Sequence, residues 1–516
     1  MLRTAAVLLL VIALPARGTT LPAGLVHEQL VGEPFGTSPV GFCFLPDERF
    51  VLIEQQSGTV RVAPAGSAVS DSIFTLPDSR GDHPERGLLG VVADPDWPLR
   101  PYLYFHYTAV DSTVKVVMYE AGGDLAVPTS SGLTLSNRYV LLDSIDDDAN
   151  IHNAGTVRFA PDGMLLVSVG DDAKACQAQD STSALGKILR LDVADLPGPG
   201  VGPPAIADLA PADNPFPTTA GYGPLVYAWG LRNPFRFTVD GTSGDVFIGS
   251  VGSHLFEEIN RIPAAGSAAP NFGWPQWEGD QQIFCCGTCG ETNPFTDPIH
   301  QIPHPLEVIS VIGGPRIRSV STSPVSLPSP YEGDVLFAEI FSGTITRLRE
   351  TGGAWDVAPP APGQADPLRW GEGFIGASDL QLGEDGAVYL VSLGLNANFL
   401  PRGLHRIRAD PSVVPAPLRP ADTTHAVTVE PNPVRLGGSV RFRFHVPTRE
   451  SATVRIVSAS GRVLRSLEDA QTAPGNRTLR FDGRTDSGAP LPAGVHFVEV
   501  STPSGFRARG RAVWIP

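Results

Sequence analysis

The chain reads as all-β: a six-bladed β-propeller followed by a small immunoglobulin-like β-sandwich. Three observations predict this. Gly (55) and Pro (50) make up about a fifth of the 516 residues, and few windows run ten residues without one of them or a β-branched cluster, which leaves little room for long helices. One unit, a turn built on Asp-Gly, Gly-Asp or Pro-Asp followed by four to six apolar or alternating residues, recurs six times before residue 410. The composition then shifts, with Pro411, Pro415, Pro417 and Pro420 concentrated in residues 411–424. Such a stretch reads as a linker, and short strands resume after it.

The first element, residues 1–18, has the form of a signal peptide. Arg3 gives a positive start, Ala5 to Leu14 an apolar core, and Ala16-Arg17-Gly18 a small-x-small cleavage site,. The apolar run is too short to span a bilayer, and no later segment is long enough. The expectation is an exported protein that begins near Thr19.

The six units follow over residues 25–410. They are Phe50 to Glu54 with Thr59 to Val62, Gly90 to Asp96 with Tyr102 to Tyr107, and Val157 to Gly170. Then come Phe237 to Gly252, Gly333 to Phe337 with Thr344 to Leu348, and Leu380 to Gly394 with Leu404 to Arg408. Long inserts are expected near 110–150, 195–225 and 263–325. Six strand-rich units in one unbroken stretch suit a propeller, which leaves only short sheet edges. Residues 425–516 form the last element. Strands at Val427 to Val429, Val440 to Val446, Thr453 to Val457, Thr478 to Phe481 and His496 to Val500, with turns at Gly461-Arg462, Asp482-Gly483 and Ala493-Gly494, indicate a sandwich.

A formal charge of −16 and a pI near 5.1 disfavour nucleic acid and anionic membrane surfaces as partners. They suit neutral or cationic ligands, and acidic loops could hold Ca²⁺. Of the five cysteines, Cys285, Cys286 and Cys289 cluster. No second Cys pair or spaced His pair completes a zinc set. One or two loop disulfides are expected, with Cys176 a candidate to join the cluster, and at least one thiol remains unpaired within the chain.

Chemistry-bearing residues sit in loops beside strands. His152, in Asn150-Ile151-His152-Asn153-Ala154-Gly155-Thr156, lies among small residues just before a strand. A histidine there can reach a ligand and titrates near neutral pH. Asp146-Asp147-Asp148 precedes it and could tune it, or could simply be exposed. Arg232 and Asn233, after Trp229-Gly230-Leu231, could bind a carboxylate or a developing oxyanion, or Arg232 could serve the backbone alone. Glu257 and Glu258 point to opposite faces of a strand, so at most one would join a given site. With backbone carbonyls that one could hold Ca²⁺; the alternative is a solvated strand end. Trp274 reads as a packing residue.

Taken in order, these segments resemble the soluble glucose/sorbosone dehydrogenase family of six-bladed propellers, over roughly residues 25–410. The match runs through Arg86-Gly87-Leu88-Leu89-Gly90 with Asp94-Pro95-Asp96, His152-Asn153-Ala154-Gly155, Gly186-Lys187-Ile188-Leu189-Arg190 and Gly230-Leu231-Arg232-Asn233-Pro234. It continues through Glu258-Ile259-Asn260, Asn271-Phe272-Gly273-Trp274 and Gly313-Gly314. The family includes quinoprotein aldose dehydrogenases that use pyrroloquinoline quinone (PQQ) and Ca²⁺, and relatives such as hedgehog-interacting proteins that act as binding modules.

The resemblance implies oxidation of an aldose or related sugar alcohol, with an electron acceptor as second partner. His152 would be the base at the C1 hydroxyl, and the C1 hydride would pass to the quinone. Arg232 and Asn233 would contact the quinone, and Glu258 with the backbone of Phe272 matches a calcium-binding position. Glu85 stands where enzymatic members carry a cofactor-contacting Gln. A lysine expected in the fifth blade is replaced around Ile340-Phe341, and two arginines expected before the sixth fall near Gly376 and Ser378. Arg316 and Arg318 are candidates to compensate. The alternative is a non-catalytic propeller that binds a glycan or protein; lactonase-type hydrolysis lacks a convergent set of metal carboxylates.

The C-terminal unit resembles the immunoglobulin-like domain of flagellar hook-capping proteins and the sorting domains of type IX secretion. Glu430-Pro431-Asn432-Pro433, Ser460-Gly461-Arg462-Val463 and Ala493-Gly494-Val495-His496-Phe497 carry that match. It implies a bacterial protein, secreted, periplasmic or at the cell surface, with possible surface attachment through this unit.

Overall fold

Short apolar strands between tight turns can bury themselves only by stacking sheet on sheet, and the six units do this. The computed structural model describes residues 18–264, 269–287, 295–304, 309–395, 399–410, 412, 427–446, 449–458, 463–486, 488–503 and 507–515. The expected leader, nearly all of the linker and Cys289 lie outside the described residues. Two compact units result, residues 1–413 and 414–516.

Each blade is a four-stranded antiparallel sheet whose first strand lies innermost. Blade 1 comprises Pro39–Phe44, Phe50–Glu54, Thr59–Ala63 and Asp71–Thr75, and blade 2 Leu88–Ala93, Tyr102–Thr108, Thr113–Gly123 and Leu133–Asp146. Blade 3 comprises Val157–Phe159, Leu165–Val169, Lys187–Leu191 and Val226–Trp229, and blade 4 Asn233–Val239, Val246–Val251, Phe256–Ile262 and His300–Pro303. Blade 5 is built from Val311–Arg316, Val335–Glu339, Thr344–Thr351 and Ala354–Val357. Middle strands such as Leu165–Val169 and Val388–Ser392 are buried at every position, because a blade is covered on both faces. The insert expected near 110–150 is instead two long strands of blade 2: the alternating Thr113–Gly123 and Leu133–Asp146 pair along most of their length.

Blade 6 closes the ring. Its three sequential strands, Ala377–Leu382, Val388–Ser392 and Gly403–Ala409, take the N-terminal strand Leu25–Val31 as their outer edge. Leu25 lies opposite Ala409 and Gln29 opposite His405.

In the C-terminal unit, Thr428–Glu430, Val440–Val446 and Gly475–Phe481 form one sheet. Val434–Arg435, Arg507–Ile515, Gly494–Ser501, Ala452–Ser458 and Val463–Asp469 form the other. Strict alternation in Val440–Val446 buries Val440, Phe442, Phe444 and Val446 against Val454, Ile456, Phe481 and Trp514. This is the immunoglobulin-like sandwich. No helix among the described residues is long and apolar enough to cross a membrane.

The ring seam holds two stacked imidazoles. Nε2 of His405 donates to the Pro401 carbonyl at 2.9 Å, which leaves its Nδ1 to accept from Nε2 of His27 at 3.0 Å. Nδ1 of His27 then accepts from the Thr19 hydroxyl at 3.0 Å. A proton on either acceptor breaks this relay. Burial pulls both imidazoles down, that of His405 to about 4, against a raising pull on His27 from Glu28. Unfolded imidazoles charge near pH 6.5, so the seam's contribution is complete above that pH and is lost as pH falls toward 4. His405→Asn should lower stability at pH 7 by about 1–3 kcal/mol and flatten the decline of the unfolding midpoint between pH 7 and 4.5. Parallel declines in variant and wild type would remove the relay from the account.

Candidate active site

The chain enters each blade at the axis, so the loops that precede the innermost strands gather at one end of the ring. The loops before blades 2, 3 and 4 carry Glu85, His152 and Arg232, and Asn233 opens the innermost strand of blade 4. Asp171 leaves the second strand of blade 3 at the same end. Trp274 comes from the excursion between the third and fourth strands of blade 4.

His152 has a φ of 63°, Ala154 of 54° and Gly155 of 119°. Left-handed non-glycine residues cost on the order of 1–3 kcal/mol each and persist only when their surroundings over-determine them. The surroundings do so here. The His152 N–H donates to Glu85 Oε2 at 2.7 Å, and the Ala154 N–H donates to Asn233 Oδ1 at 3.0 Å. Asn153 Nδ2 donates to Asp147 Oδ1 at 2.8 Å. Gly170 passes so close that a Cβ on it would meet the His152 carbonyl at 1.8 Å.

The turned loop puts Nδ1 of His152 2.6 Å from Asp171 Oδ1. A carboxylate there selects the tautomer with the proton on Nδ1, leaving Nε2 as a lone-pair base. Nε2 forms no hydrogen bond among the described residues and is not sealed from solvent.

Asp171 is itself held. Oδ1 also accepts from the Ala173 N–H at 2.9 Å, and Oδ2 accepts from Trp274 Nε1 at 2.8 Å. The Trp274 ring lies 5.6 Å from the Arg232 guanidinium, so one indole positions both the partner of the base and the nearest cation. Arg232 donates through Nη1 to the Val251 carbonyl at 3.2 Å and has no ion pair among the described residues. Burial pulls its pKa down, and the carboxylates of Asp171, Glu257, Glu278 and Glu85 pull it back up. Asn233 Nδ2 reaches Glu85 Oε2 at 3.4 Å.

The structure therefore brings together Glu85, His152, Arg232 and Asn233, and adds Asp171 and Trp274. Trp274 is a half-buried hydrogen-bond donor, not merely a packing residue. The acidic run does not reach the imidazole. Asp147 is buried on Arg86 and Asn153, while Asp146 and Asp148 share Lys174 with Asp172.

One wall is pinned to the excursion. Cys176 and Cys286 form a disulfide, joining the turn after Asp171 to the segment beyond Trp274. Gln179 exchanges hydrogen bonds with Asn271 and donates to the Trp274 carbonyl at 2.7 Å. Below this turn, buried Lys187 places its amine on the carbonyls of Gln177, Ala178 and Leu185, and burial pulls its pKa down to about 7. Cys43 is the free, buried thiol.

Glu257 and Glu258 do point apart, and both are buried rather than solvated. Glu257 accepts from the N–H groups of Gly252 and Val311 and from His304. Among the described residues Glu258 accepts only from the Gly279 N–H at 2.7 Å and Asn260 Nδ2 at 2.9 Å. With no cation beside it, burial pushes its pKa up to about 7. Phe272 is buried in the excursion, its N–H on the Trp229 carbonyl. The described residues contain no cluster of three acidic, His or Cys ligands.

Arg316 and Arg318 cannot compensate for missing cations at this end. Arg316 ends the innermost strand of blade 5 and Arg318 follows it, at the opposite end of the ring, and they pair with Asp245, Glu350, Asp240 and Glu332. Ile340 is buried and Phe341 exposed. Ser378 is buried, with its hydroxyl on Val40.

Residues 37–301 match the family model described as Glucose / Sorbosone dehydrogenase, half of the chain, and the chain belongs to that family. Residues 432–505 match the FlgD Ig-like domain. The HIPL2 protein of Arabidopsis thaliana is 29% identical over 249 residues, covering 44% of this chain and 34% of the relative. Aldose sugar dehydrogenase YliI of Escherichia coli (strain K12) is 27% identical over 238 residues, 46% of this chain and 58% of the relative. The chain thus spans a third and somewhat over half of the lengths of these relatives. The PQQ-bound form of aldose sugar dehydrogenase from Streptomyces coelicolor superposes with a TM-score of 0.54 at 22% identity, over 76% of this chain and 100% of that one. That likeness shows the propeller fold.

Trp274→Phe replaces the indole with a smaller aromatic ring that has no N–H to donate to Asp171. It should lower stability by about 1–3 kcal/mol, the cost of an unpaired buried acceptor. A melting curve identical to wild type would show that the indole N–H does not hold Asp171.

Proposed function

We propose that the propeller is a sugar oxidoreductase in which Nε2 of His152 takes the proton from a hydroxyl of an aldose or related alcohol. The observation that carries this reading is the His152–Asp171 pair at 2.6 Å in a left-handed loop with Nε2 open. Asp171 orients the imidazole and stabilises its positive charge once it is protonated. Arg232 faces the oxygen as negative charge develops there. The hydride lost from the same carbon requires a bound two-electron acceptor.

PQQ carries three carboxylates, and the residues present do not fit that charge. Among the lysines and arginines of residues 18–410, only Lys187, Arg232, Arg236 and Arg402 have no ion pair with a described residue. The segments of this span outside the described residues contain neither Lys nor Arg. Lys187 and Arg236 are buried on carbonyls, and Arg402 precedes the third strand of blade 6, away from the innermost strand. Arg232 remains, facing the carboxylates of Glu85 and Asp171. A trianion entering such a site gains little charge pairing and meets two like charges. An acceptor with fewer carboxylates suits the site better.

A divalent cation suits Glu258: a buried carboxylate with only neutral donors is relieved by Ca²⁺, with carbonyl oxygens such as that of Phe272 completing the shell. The shortage of cations also favours a second reading, a propeller that binds a glycan or protein without turnover.

The test is acceptor reduction by the full chain with Ca²⁺, a panel of aldoses and either PQQ or an uncharged ortho-quinone. His152→Ala should lower turnover about 10²–10⁴-fold while the propeller stays folded, at a melting temperature lowered by the donor that Asp171 loses. Turnover that survives the substitution removes His152 from the chemistry, and no turnover by wild type with any pair supports the binding reading. Wild type should bind PQQ at least about tenfold more weakly than Glu85→Gln, whose amide oxygen can still accept from His152 N–H. Equal affinities would acquit Glu85.

A separate check needs no acceptor. The Glu258 pKa lies above its unfolded value, so this carboxyl's cost appears as pH rises from about 4.5 to 7,. Glu258→Gln should raise stability at pH 8 by about 1–3 kcal/mol, and Ca²⁺ should stabilise wild type but not the variant. The same shift in both would place the cation elsewhere.

A further inference from the structure

We infer that the C-terminal sandwich carries a binding surface for an anionic polysaccharide on the exposed face of the sheet formed by 428–430, 440–446 and 475–481. The inference is independent of the chemistry at His152. The whole-chain charge of −16 hides a division: residues 427–515 hold thirteen arginines, no lysine and seven carboxylate side chains. The unit is cationic on a chain that is otherwise strongly acidic, and its cations are all of the kind that forks two N–H groups onto a carboxylate or sulfate.

The arginines are not spread evenly. Alternation in Val440–Val446 buries the apolar residues and turns Arg441, Arg443 and His445 outward. The neighbouring strand Gly475–Phe481 turns Asn476, Thr478 and Arg480 to the same face. In the ladder Arg441 lies directly opposite Arg480, Arg443 opposite Thr478, and His445 opposite Asn476. Neither Arg441 nor Arg480 has an ion pair among the described residues, and Arg443 meets Glu430 at 3.1 Å on the sheet edge. Like charges placed directly opposite across a ladder destabilise a sheet. The core lies on the other face, and Glu430, which stands opposite Arg441 in the ladder, is the one carboxylate turned outward on these three strands beside three guanidinium groups. A site for negative charge accounts for them.

The same strands form an open groove of about 420 Å³ whose lining includes Thr428, Arg443, His445, Asn476 and Thr478. Hydroxyl, amide and imidazole groups beside guanidinium groups suit a polyhydroxylated chain that bears carboxylate or sulfate. The face presents no exposed Trp, Tyr or Phe and no exposed apolar side chain to enter a bilayer; its one outward ring is the His445 imidazole, hydrogen-bonded to Asn476 at 3.0 Å. This favours a polysaccharide over nucleic acid or an anionic membrane.

The test uses the full chain, immobilised alginate and dextran sulfate, and neutral dextran as control, at two salt concentrations. Wild type should be retained by the anionic matrices, released as salt rises, and not retained by dextran. Arg441→Thr combined with Arg480→Thr should weaken retention at least about tenfold while leaving the melting temperature unchanged or raised, because a repulsive pair is removed. Retention of the double variant equal to wild type would overturn the inference. So would wild type that ignores both matrices, or that prefers single-stranded DNA or phosphatidylglycerol vesicles to alginate. A double variant that melts lower than wild type would show that the arginines serve the sheet, which also sinks the proposal.

Discussion

One buried guanidinium ties the ring together. Arg236, on the innermost strand of blade 4, donates through Nε to the Ser378 carbonyl of blade 6 at 2.9 Å and through Nη2 to the Val40 carbonyl of blade 1 at 2.8 Å. Through Nη1 it reaches Thr156 Oγ1, beside blade 3, at 3.3 Å. Arg158 of blade 3 adds a two-pronged ion pair to Asp379 of blade 6, both bonds 2.9 Å long. A propeller has no central core of its own, so the innermost strands would otherwise face one another across open carbonyls. Filling that space with planar donors satisfies the carbonyls and fixes the strands' heights relative to one another. Burial pulls the Arg236 pKa down to about 10, so it stays charged, and removing it would leave several blades without partners.

Those heights matter because the site has no scaffold of its own. Glu85, His152 and Asn233 sit in or at the end of loops leading into innermost strands, and they bond one another rather than a common element. A shift of one blade along the axis would separate the His152 N–H from Glu85 and the Ala154 N–H from Asn233, and the left-handed loop would relax. The disulfide from Cys176 to Cys286 and the Gln179–Asn271 exchange supply the same constraint from the outer side. The strained loop is thus stabilised from both the axis and the rim.

Much of this was legible in the sequence, and the parts that were not share a cause. Turn chemistry and alternation are local, so six units and a sandwich could be read from spacing alone. His152, Arg232, Asn233 and Glu85 lie in short motifs beside strands, where a loop position is easy to recognise. Asp171 was visible only as the end of a strand. Its partnership with His152 depends on the antiparallel return of Leu165–Val169, and Trp274 reaches it from over a hundred residues away. Arg316 and Arg318 looked available because sequence gives no sign of which end of the ring a residue occupies. The closing strand Leu25–Val31 belongs to no repeat when read in order, since its blade is completed at the other end of the propeller. The cationic sandwich was hidden by averaging charge over the whole chain.

On the proposed reading, the separation of blades also explains how the site can keep His152 as its base while lacking counter-charges for a tricarboxylate. His152, Asp171, Arg232 and Trp274 all come from blades 3 and 4 and the excursion of blade 4. The positions where further cations would stand, around Ile340-Phe341 and Gly376 to Ser378, belong to blades 5 and 6, and there the chain places apolar, small or buried residues. Among the described residues no hydrogen bond runs directly from one set to the other, and the blades meet instead through Arg236 and Arg158. The geometry therefore suits a ligand whose reacting end lies over blades 3 and 4 and whose body, over blades 5 and 6, carries little negative charge. Glu85 sharpens that preference. The oxygen that holds the His152 loop is a carboxylate, so the residue that positions the base also discriminates against anions beside it.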